Sequence, residues 1–284
     1  MFEEIKERVR KKLKDWKSRT LSQAGKEVMI KAMAQAQFLY PMTVFLIPDG
    51  TLMEIQRMIS SFWRGQKGKE AKLHWLKWED LCDDKEYGGM GFKDLRTFNL
   101  AMLGKQVWQI LSRPNSLMAR TLKAEYFPKS DVLNAKTGYK PSFIWRSIMT
   151  AKEKIIGGFR WRVGDGNSIR VWEDAWILVK IYCFADPQPD GMDSDELVSS
   201  LIDKDNGSWD ESKLKEKFSR LDYELISKTS LRTPLCRDER VWIDSDDGNY
   251  YVKSAYYRIR ENLGNNSAYS LTVSMDELEF WKAL

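Results

Sequence analysis

The chain has 284 residues, of which 43% are hydrophobic and 31% charged, a globular composition that excludes a fibrous or disordered protein and suits two domains or one sizeable core. Net charge is +5, but residues 1–180 carry 33 Lys and Arg against 20 Asp and Glu, while residues 181–284 carry 13 against 21. A basic front and an acidic back point either to a polyanion-facing part beside a part that faces something else, or to two solvated surfaces. No uncharged apolar run approaches the roughly 20 residues that cross a bilayer, and the amino terminus MFEEIKERVRKKLKDW lacks a signal-like stretch.

In chain order, Phe2, Ile5, Val9, Leu13 and Trp16 recur at spacings of three and four and predict a first amphipathic helix. Lys6, Arg10, Lys14 and Lys17 form a second stripe on another face. Ser22 is a good N-cap for a second helix through KEVMIKAMAQAQFLY, and Pro41 disfavours helix at Tyr40. Thr51 and Glu54 match a capping box ahead of Leu52, Ile55, Met58, Ile59 and Phe62, a helix face that should stop near Gly65. Residues 65–72 read as a polar loop and 73–92 as irregular. Gly88-Gly89-Met90-Gly91 ends that stretch, where glycine permits positive φ or a close backbone approach. Helices follow over KDLRTFNLAMLGKQVWQIL, roughly 115–126 and roughly 142–155.

At residues 159–172 the period changes to two. Phe159, Trp161 and Val163 alternate with Arg160 and Arg162; beyond Gly164-Asp165-Gly166-Asn167, Ile169 and Val171 alternate with Arg170 and Trp172. This predicts a β-hairpin. Ala185 to Asp195 reads as a linker, helices are expected near 195–203 and 210–228, and a second hairpin near 241–253 turns at Asp246-Asp247-Gly248-Asn249 before a helix near 253–262.

Few residue types here suit a chemical centre. Cys82, Cys183 and Cys236 are odd in number and scattered, which argues against a disulfide framework and for a reducing, intracellular compartment. With one histidine, His74, and no C-x-x-C pair, neither a zinc site nor a Ser-His-Asp centre is expected. Asp83-Asp84 has the form of a metal-binding carboxylate pair, but its charged, turn-rich context favours a solvated loop. The Asp244, Asp246, Asp247 set fails the calcium-loop template, which needs Gly where Asn249 stands and Glu where Ala255 stands. Gly164-Asp165-Gly166 lies between strands and lacks the third glycine of a dinucleotide fingerprint. No catalytic residue, metal ligand or cofactor is assigned.

What remains is cationic. Lys6, Arg10, Lys14 and Lys17 suit phosphate contact, or a solvated face paired with Glu3, Glu7 and Asp15. Arg160, Arg162 and Arg170 with Trp172 suit phosphate contact with stacking, or a ribbon covering the helical core. The tryptophans, 12 in all, read best as core anchors.

Several segments together resemble one family: LSQAGKEVMIKAMAQAQFLYPM (21–42), SSFWRGQKGKEAKLHWLKWEDLC (60–82), YGGMGFKDLRTFNLAMLGKQVWQIL (87–111), FRWRVGDGNSIRVWEDAWI (159–177), VWIDSDDGNYYVKSAYY (241–257) and EFWKAL (279–284). They look like the region downstream of the polymerase core in plant non-LTR retrotransposon reverse transcriptases. The last two resemble the approach to, and the first residues of, that family's zinc-binding module. Departures are Phe38 where the family often has proline, and Lys26 where arginine is common.

The resemblance implies that about 10–120 correspond to the thumb and the helices after it, which help hold the template–primer duplex. It also implies that the palm aspartates and zinc ligands lie outside this sequence, so that the chain is not an enzyme on its own. The expectation is a mainly α chain with two small β-hairpins (α+β). A basic, thumb-like region would span 1–184 and an acidic region with the truncated start of a zinc-binding-like module 185–284. Its expected function is a non-catalytic retroelement remnant that contacts an RNA or DNA duplex through phosphates, with no membrane partner. The alternatives are a helical protein-interaction domain, and part of an RNA-directed DNA polymerase whose palm is supplied elsewhere.

Overall fold

Apolar spacing sets most of the helices in the computed structural model, which describes residues 2–17, 21–65, 77–177, 185, 195–203, 206–231 and 236–264. In chain order the first elements are α1 (Phe2–Lys17), α2 (Gln23–Met29), α3 (Leu39–Val44), α4 (Asp49–Arg64), α5 (Trp78–Leu81), α6 (Leu95–Ser112), α7 (Leu117–Tyr126) and α8 (Phe143–Ile155). There follow β1 (Phe159–Arg162), β2 (Ile202–Asp203), β3 (Ser208–Trp209), α9 (Glu211–Lys217), α10 (Arg220–Ser227), β4 (Glu239–Trp242) and α11 (Val252–Gly264). The described chain is mainly helical with two small two-stranded antiparallel sheets, so the expected fold class holds. Most of the expected 65–72 loop, His74, most of the 185–195 linker, Cys183 and EFWKAL lie outside the described residues. Two compact units form: one draws on Met1–Phe38, Ile47–Ala101 and Lys253–Leu284, the other on Leu39–Leu46 and Met102–Val252.

In the first unit α1 buries Ile5, Val9, Leu13 and Trp16, the predicted stripe. It packs on α4, where Trp16 meets Phe62 at 5.9 Å between ring centroids. The Ser22 cap forms as expected, its hydroxyl accepting from the Gly25 N–H at 3.1 Å. The single long second helix does not form. After α2 the chain makes a π turn at Ile30–Ala34 and a 3₁₀ turn at Gln35–Phe38. Ile30, Ala34 and Phe38 are all buried, at 0%, 2% and 0% exposure. A strict spacing of four drifts around a 3.6-residue helix, and one wider i→i+5 turn absorbs that drift.

Helix at Tyr40 is a second correction: Pro41 lies in the first turn of the restarted helix α3, where its missing N–H has no intrahelical partner to lose. Helix α4 starts two residues ahead of the expected Thr51, with Pro48 at the N-cap. It stops at Gly65, left-handed with φ 67°. Residues 77–92 are less irregular than expected, containing α5 and a 3₁₀ turn at Lys85–Tyr87. Trp78 stacks on Phe92 at 5.2 Å, and Trp63 meets the same ring edge-on at 5.1 Å. The glycine run works as predicted: Gly88 and Gly91 take φ 82° and 65°, and a Cβ on Gly89 would lie 2.1 Å from the Asp83 carbonyl oxygen.

In the second unit Trp145, fully buried on α8, stacks with Tyr126 at 4.7 Å and with Phe127 at 5.5 Å. Trp176, also buried, donates its indole N–H to the Val171 carbonyl at 2.9 Å. The predicted hairpin at 159–172 is not one. Strand β1 pairs antiparallel with β4, Phe159 facing Trp242 and Arg162 facing Glu239. Arg170 makes only an isolated bridge to Leu197. The alternation at 169–172 reflects burial of Ile169 and Val171 in a core with Val163, Trp176, Val198 and Leu201, not a second strand. The second predicted hairpin fails likewise, since β4 spends its ladder on β1 and residues 243–249 form a tight turn closed by the Trp242 N–H on the Gly248 carbonyl at 2.8 Å. The hairpin that does form, β2–β3, was not expected. The helix expected near 195–203 is a 3₁₀ turn at Val198–Leu201, and that near 210–228 is two helices, α9 capped by Asp210 and α10 capped by Ser219.

Lys152 shows the cost of a buried charge. It is 7% exposed, and its ammonium donates to the carbonyls of Leu133 at 3.0 Å and Ala135 at 2.7 Å. Burial lowers its pKa below the ordinary 10.5. The folded state therefore binds this proton more weakly than the unfolded chain does, and stability rises as pH climbs from the folded value toward 10.5. Lys152→Met strands two carbonyls and should cost about 1–2 kcal/mol at neutral pH. Urea titrations should show the gap to wild type widening as pH approaches 10.5. A constant gap would contradict the desolvation account.

Candidate nucleic-acid interface

The predicted basic stripe of α1 is only partly free. Lys6 is tied to Glu3 at 2.6 Å and to Glu54 of α4 at 2.9 Å. These bonds raise its pKa, that to Glu3 first, and the same ammonium holds the Glu54 carboxyl below its usual range. Lys6 is thus an α1–α4 clasp. Arg10 is exposed and pairs with Glu7 one turn back. Lys14 is exposed, and Lys17 ends the helix with its side chain outside the described residues. Two cations beyond the predicted stripe, Arg8 and Lys11, are exposed as well, and Lys12 is half-buried. Glu3, Glu4 and Glu7 occupy the amino-terminal half of α1 and Asp15 alone opposes the cations of the carboxy-terminal half, so that half presents the excess positive charge.

The second predicted set is not one outer face. Arg160 stands opposite Val241 and Arg162 opposite Glu239, to which it is paired at 3.3 Å. Arg170 pairs with Glu173, and its backbone N–H donates to Asp174 at 2.8 Å. Trp172 is stacked at 5.1 Å on Phe218, packed against the core. All four are half-buried.

Asp83 and Asp84 are not a solvated loop. Arg260 of α11 donates to Asp83 at 2.6 Å and to the Cys82 carbonyl at 2.9 Å, and the Tyr257 hydroxyl lies 2.7 and 2.6 Å from the Asp84 oxygens. Both carboxylates thus fasten this loop to a helix more than 170 residues downstream. Burial, then the bond to Asp84, pushes the Tyr257 pKa up to about 12. The buried Cys82 thiol is also pushed up to about 12 by burial, which leaves it a poor nucleophile at neutral pH. Among the described residues no group of three or more His, Cys, Asp or Glu could hold a metal ion, and no helix is long and apolar enough to cross a membrane.

Sequence reading passed over a further basic stretch. Arg113, Arg120, Lys123 and Lys129 are exposed on and around α7, with Glu125 alone opposing them between residues 113 and 129. Lys123 lines a cavity of about 590 Å³ within the second unit, walled by Trp108, Phe127 and Trp161, and the other three are chain neighbours of its lining residues. The charge excess was visible in the sequence; the cavity was not, because its lining comes from residues as far apart as Trp108 and Asn249.

No family model and no solved structure matches the chain. It is 36% identical over 140 residues to the Arabidopsis thaliana protein named "Uncharacterized mitochondrial protein AtMg00310", a match covering 49% of this chain and 91% of that protein. The chain belongs to the family of that mitochondrial protein. It is also similar to the Arabidopsis thaliana protein named "Putative ribonuclease H protein At1g65750", 29% identical over 268 residues. That match covers 90% of this chain and 42% of the relative, so the chain spans less than half of that protein's length.

Proposed function

We propose that the chain is a retrotransposon-derived scaffold, equivalent to the thumb and following helices of a plant non-LTR reverse transcriptase, that grips a nucleic-acid duplex through phosphates and performs no bond-making itself. The observation that carries this reading is the match, across 90% of the chain, to a relative named as a ribonuclease H protein. With the mitochondrial relative, it is the kind of pairing that plant retrotransposon-derived reading frames give. The charge distribution supports the rest. Exposed Arg8, Lys11 and Lys14 offer point charges and a guanidinium to a polyanion, contacts that add sequence-independent, salt-dependent affinity. The carboxylate pair most like a metal site, Asp83-Asp84, already holds Arg260 and Tyr257. An intracellular, reducing setting belongs to the same reading.

Charge reversal tests it. Arg8→Glu, Lys11→Glu and Lys14→Glu together should lower duplex affinity at least tenfold, equally for unrelated sequences, because each reversal removes one phosphate contact and adds a repulsion. Affinity within twofold of wild type would show that α1 is no phosphate face. Template-directed nucleotide incorporation by the chain alone would contradict the non-catalytic part.

A protein-interaction scaffold is the second reading, favoured by exposed apolar residues in the second unit. Tyr40 of α3 is 81% exposed, and Phe143 and Ile144 in the first turn of α8 are 44% and 40% exposed. Phe45, the residue after α3, stacks on Phe143 at 5.6 Å. Duplex binding that fails at low salt, with capture of a protein partner lost in Tyr40→Ser, would favour it.

A further inference from the structure

The cavity of the second unit has a shape and a charge arrangement that α1 lacks. Its volume of about 590 Å³ falls within the range of small-ligand sites. Two of its aromatic walls are fixed in place: Trp108 stacks on Phe159 with rings 6.1 Å apart and 3° from parallel, and the Arg240 guanidinium covers Trp161 at 3.9 Å. Ser130 adds a hydroxyl, while Ser112, whose hydroxyl donates to the Trp108 carbonyl at 2.7 Å, and Asn249, whose amide N–H donates to Asp247 at 2.8 Å, each keep an oxygen that can accept.

Three carboxylates also line the cavity, and each is already engaged. Asp238 accepts backbone N–H bonds from Gly164, Gly166 and Ser168; Glu239 pairs with Arg162; Asp131 lies 3.8 Å from Arg240. The interior therefore suits a neutral, planar, hydrogen-bonding group rather than an anion. The surround suits the opposite. Lys123 lines the cavity, and exposed Arg113, Arg120 and Lys129 are chain neighbours of the lining residues Ser112, Ala119 and Ser130.

A neutral flat group inside and negative charge outside describes one unpaired nucleotide of a single strand. We propose that this cavity accepts an unpaired base, stacked on its tryptophan wall, while flanking phosphates meet Lys123, Arg113, Arg120 and Lys129. The inference rests on the nucleic-acid reading above and deepens it: the chain holds a duplex by charge and a single-stranded segment by base capture. Stacking of this kind tolerates any base.

The test compares a fluorescent oligo-dT of about a dozen nucleotides with an abasic strand of equal length, using the full chain. Wild type should prefer oligo-dT by about tenfold. Ser130→Trp and Asn249→Trp each place a bulky ring at an exposed lining position without removing a core group. Either variant, its fold checked by thermal melting and the other standing in if one fails to fold, should bring the ratio toward one. Lys123→Gln should weaken both strands alike and lower the salt slope by about one. Equal binding of the two strands by wild type, or an unchanged preference in both folded tryptophan variants, overturns the base pocket while leaving phosphate binding intact. Absence of binding to either strand and to duplex overturns both readings.

Discussion

Asp238→Ala is expected to destabilise the second unit by about 3 kcal/mol or more. The predicted turn at Gly164-Asp165-Gly166-Asn167 is held from a distance. The Asp238 Oδ1 accepts the N–H groups of Gly164 at 2.8 Å and Gly166 at 2.9 Å, and its Oδ2 that of Ser168 at 2.8 Å. Successive N–H groups converging on one anion form a nest, and here the chain fills it with its own carboxylate. The glycines are needed. A Cβ on Gly164 would lie 2.0 Å from the Cys236 carbonyl oxygen, and Gly166 has φ +69° and an added Cβ there would lie 2.5 Å from the Ser199 nitrogen. Alanine at 238 leaves three donors without their acceptor, each worth more than a neutral bond because the acceptor is charged. Asn at 238 keeps Oδ1 for two donors but turns an amide N–H₂ toward Ser168. The expected stability order is therefore wild type, Asn, Ala. Chemical unfolding of the three proteins checks it; Asn and Ala variants of equal stability to wild type would contradict the account.

Gly104→Ala is the second large effect. In an exposed helix interior this substitution gains about 1 kcal/mol from propensity. Here the sign reverses, because a Cβ on Gly104 of α6 would lie 2.2 Å from the Tyr250 hydroxyl and 2.8 Å from Ile155 Cδ1. Tyr250 is 5% exposed, and burial raises its pKa above the ordinary tyrosine value. It meets Trp242 at 4.8 Å and Phe159 at 6.4 Å, so it cannot swing away cheaply. Overpacking of this kind costs about 1–3 kcal/mol. Tyr250→Phe in the Gly104→Ala background removes the nearer atom and leaves the ring carbon at 3.0 Å. About half the loss should return, a coupling that a double-mutant cycle reads directly. A stabilised Gly104→Ala would show that the close approach does not exist.

Local order was legible in the sequence where one element carried the whole signal. Ile5, Val9, Leu13 and Trp16 specify α1, Ser22 caps α2, Gly65 ends α4, and the glycines at 88–91 do what glycines are kept for. Long-range pairing was not legible. Strand β1 looks like half of a hairpin because Val163, Ile169 and Val171 are buried on one side; its true partner stands 77 residues on, at Glu239 opposite Arg162. Asp83 and Asp84 look solvated because their neighbours in sequence are polar, whereas Arg260 and Tyr257 arrive from α11. The candidate interface shifted for the same reason. Helical periodicity placed Lys6 on a cationic stripe, but Glu54 of a separate helix claims it, and the exposed excess moves to Arg8, Lys11 and Lys14. The cavity beside Lys123 needed Trp108, Trp161 and Asn249 brought together, which no spacing rule reports.

The central claim is that phosphate contact, rather than base readout or protein docking, is what this chain retains. Anisotropy titrations of two duplexes of unrelated sequence across a salt series measure it most directly. The account predicts equal affinities for the two and a plot of log K against log salt falling with a slope of about −3, matching Arg8, Lys11 and Lys14 on α1. A flat plot, or a preference of tenfold or more for one sequence, would contradict it.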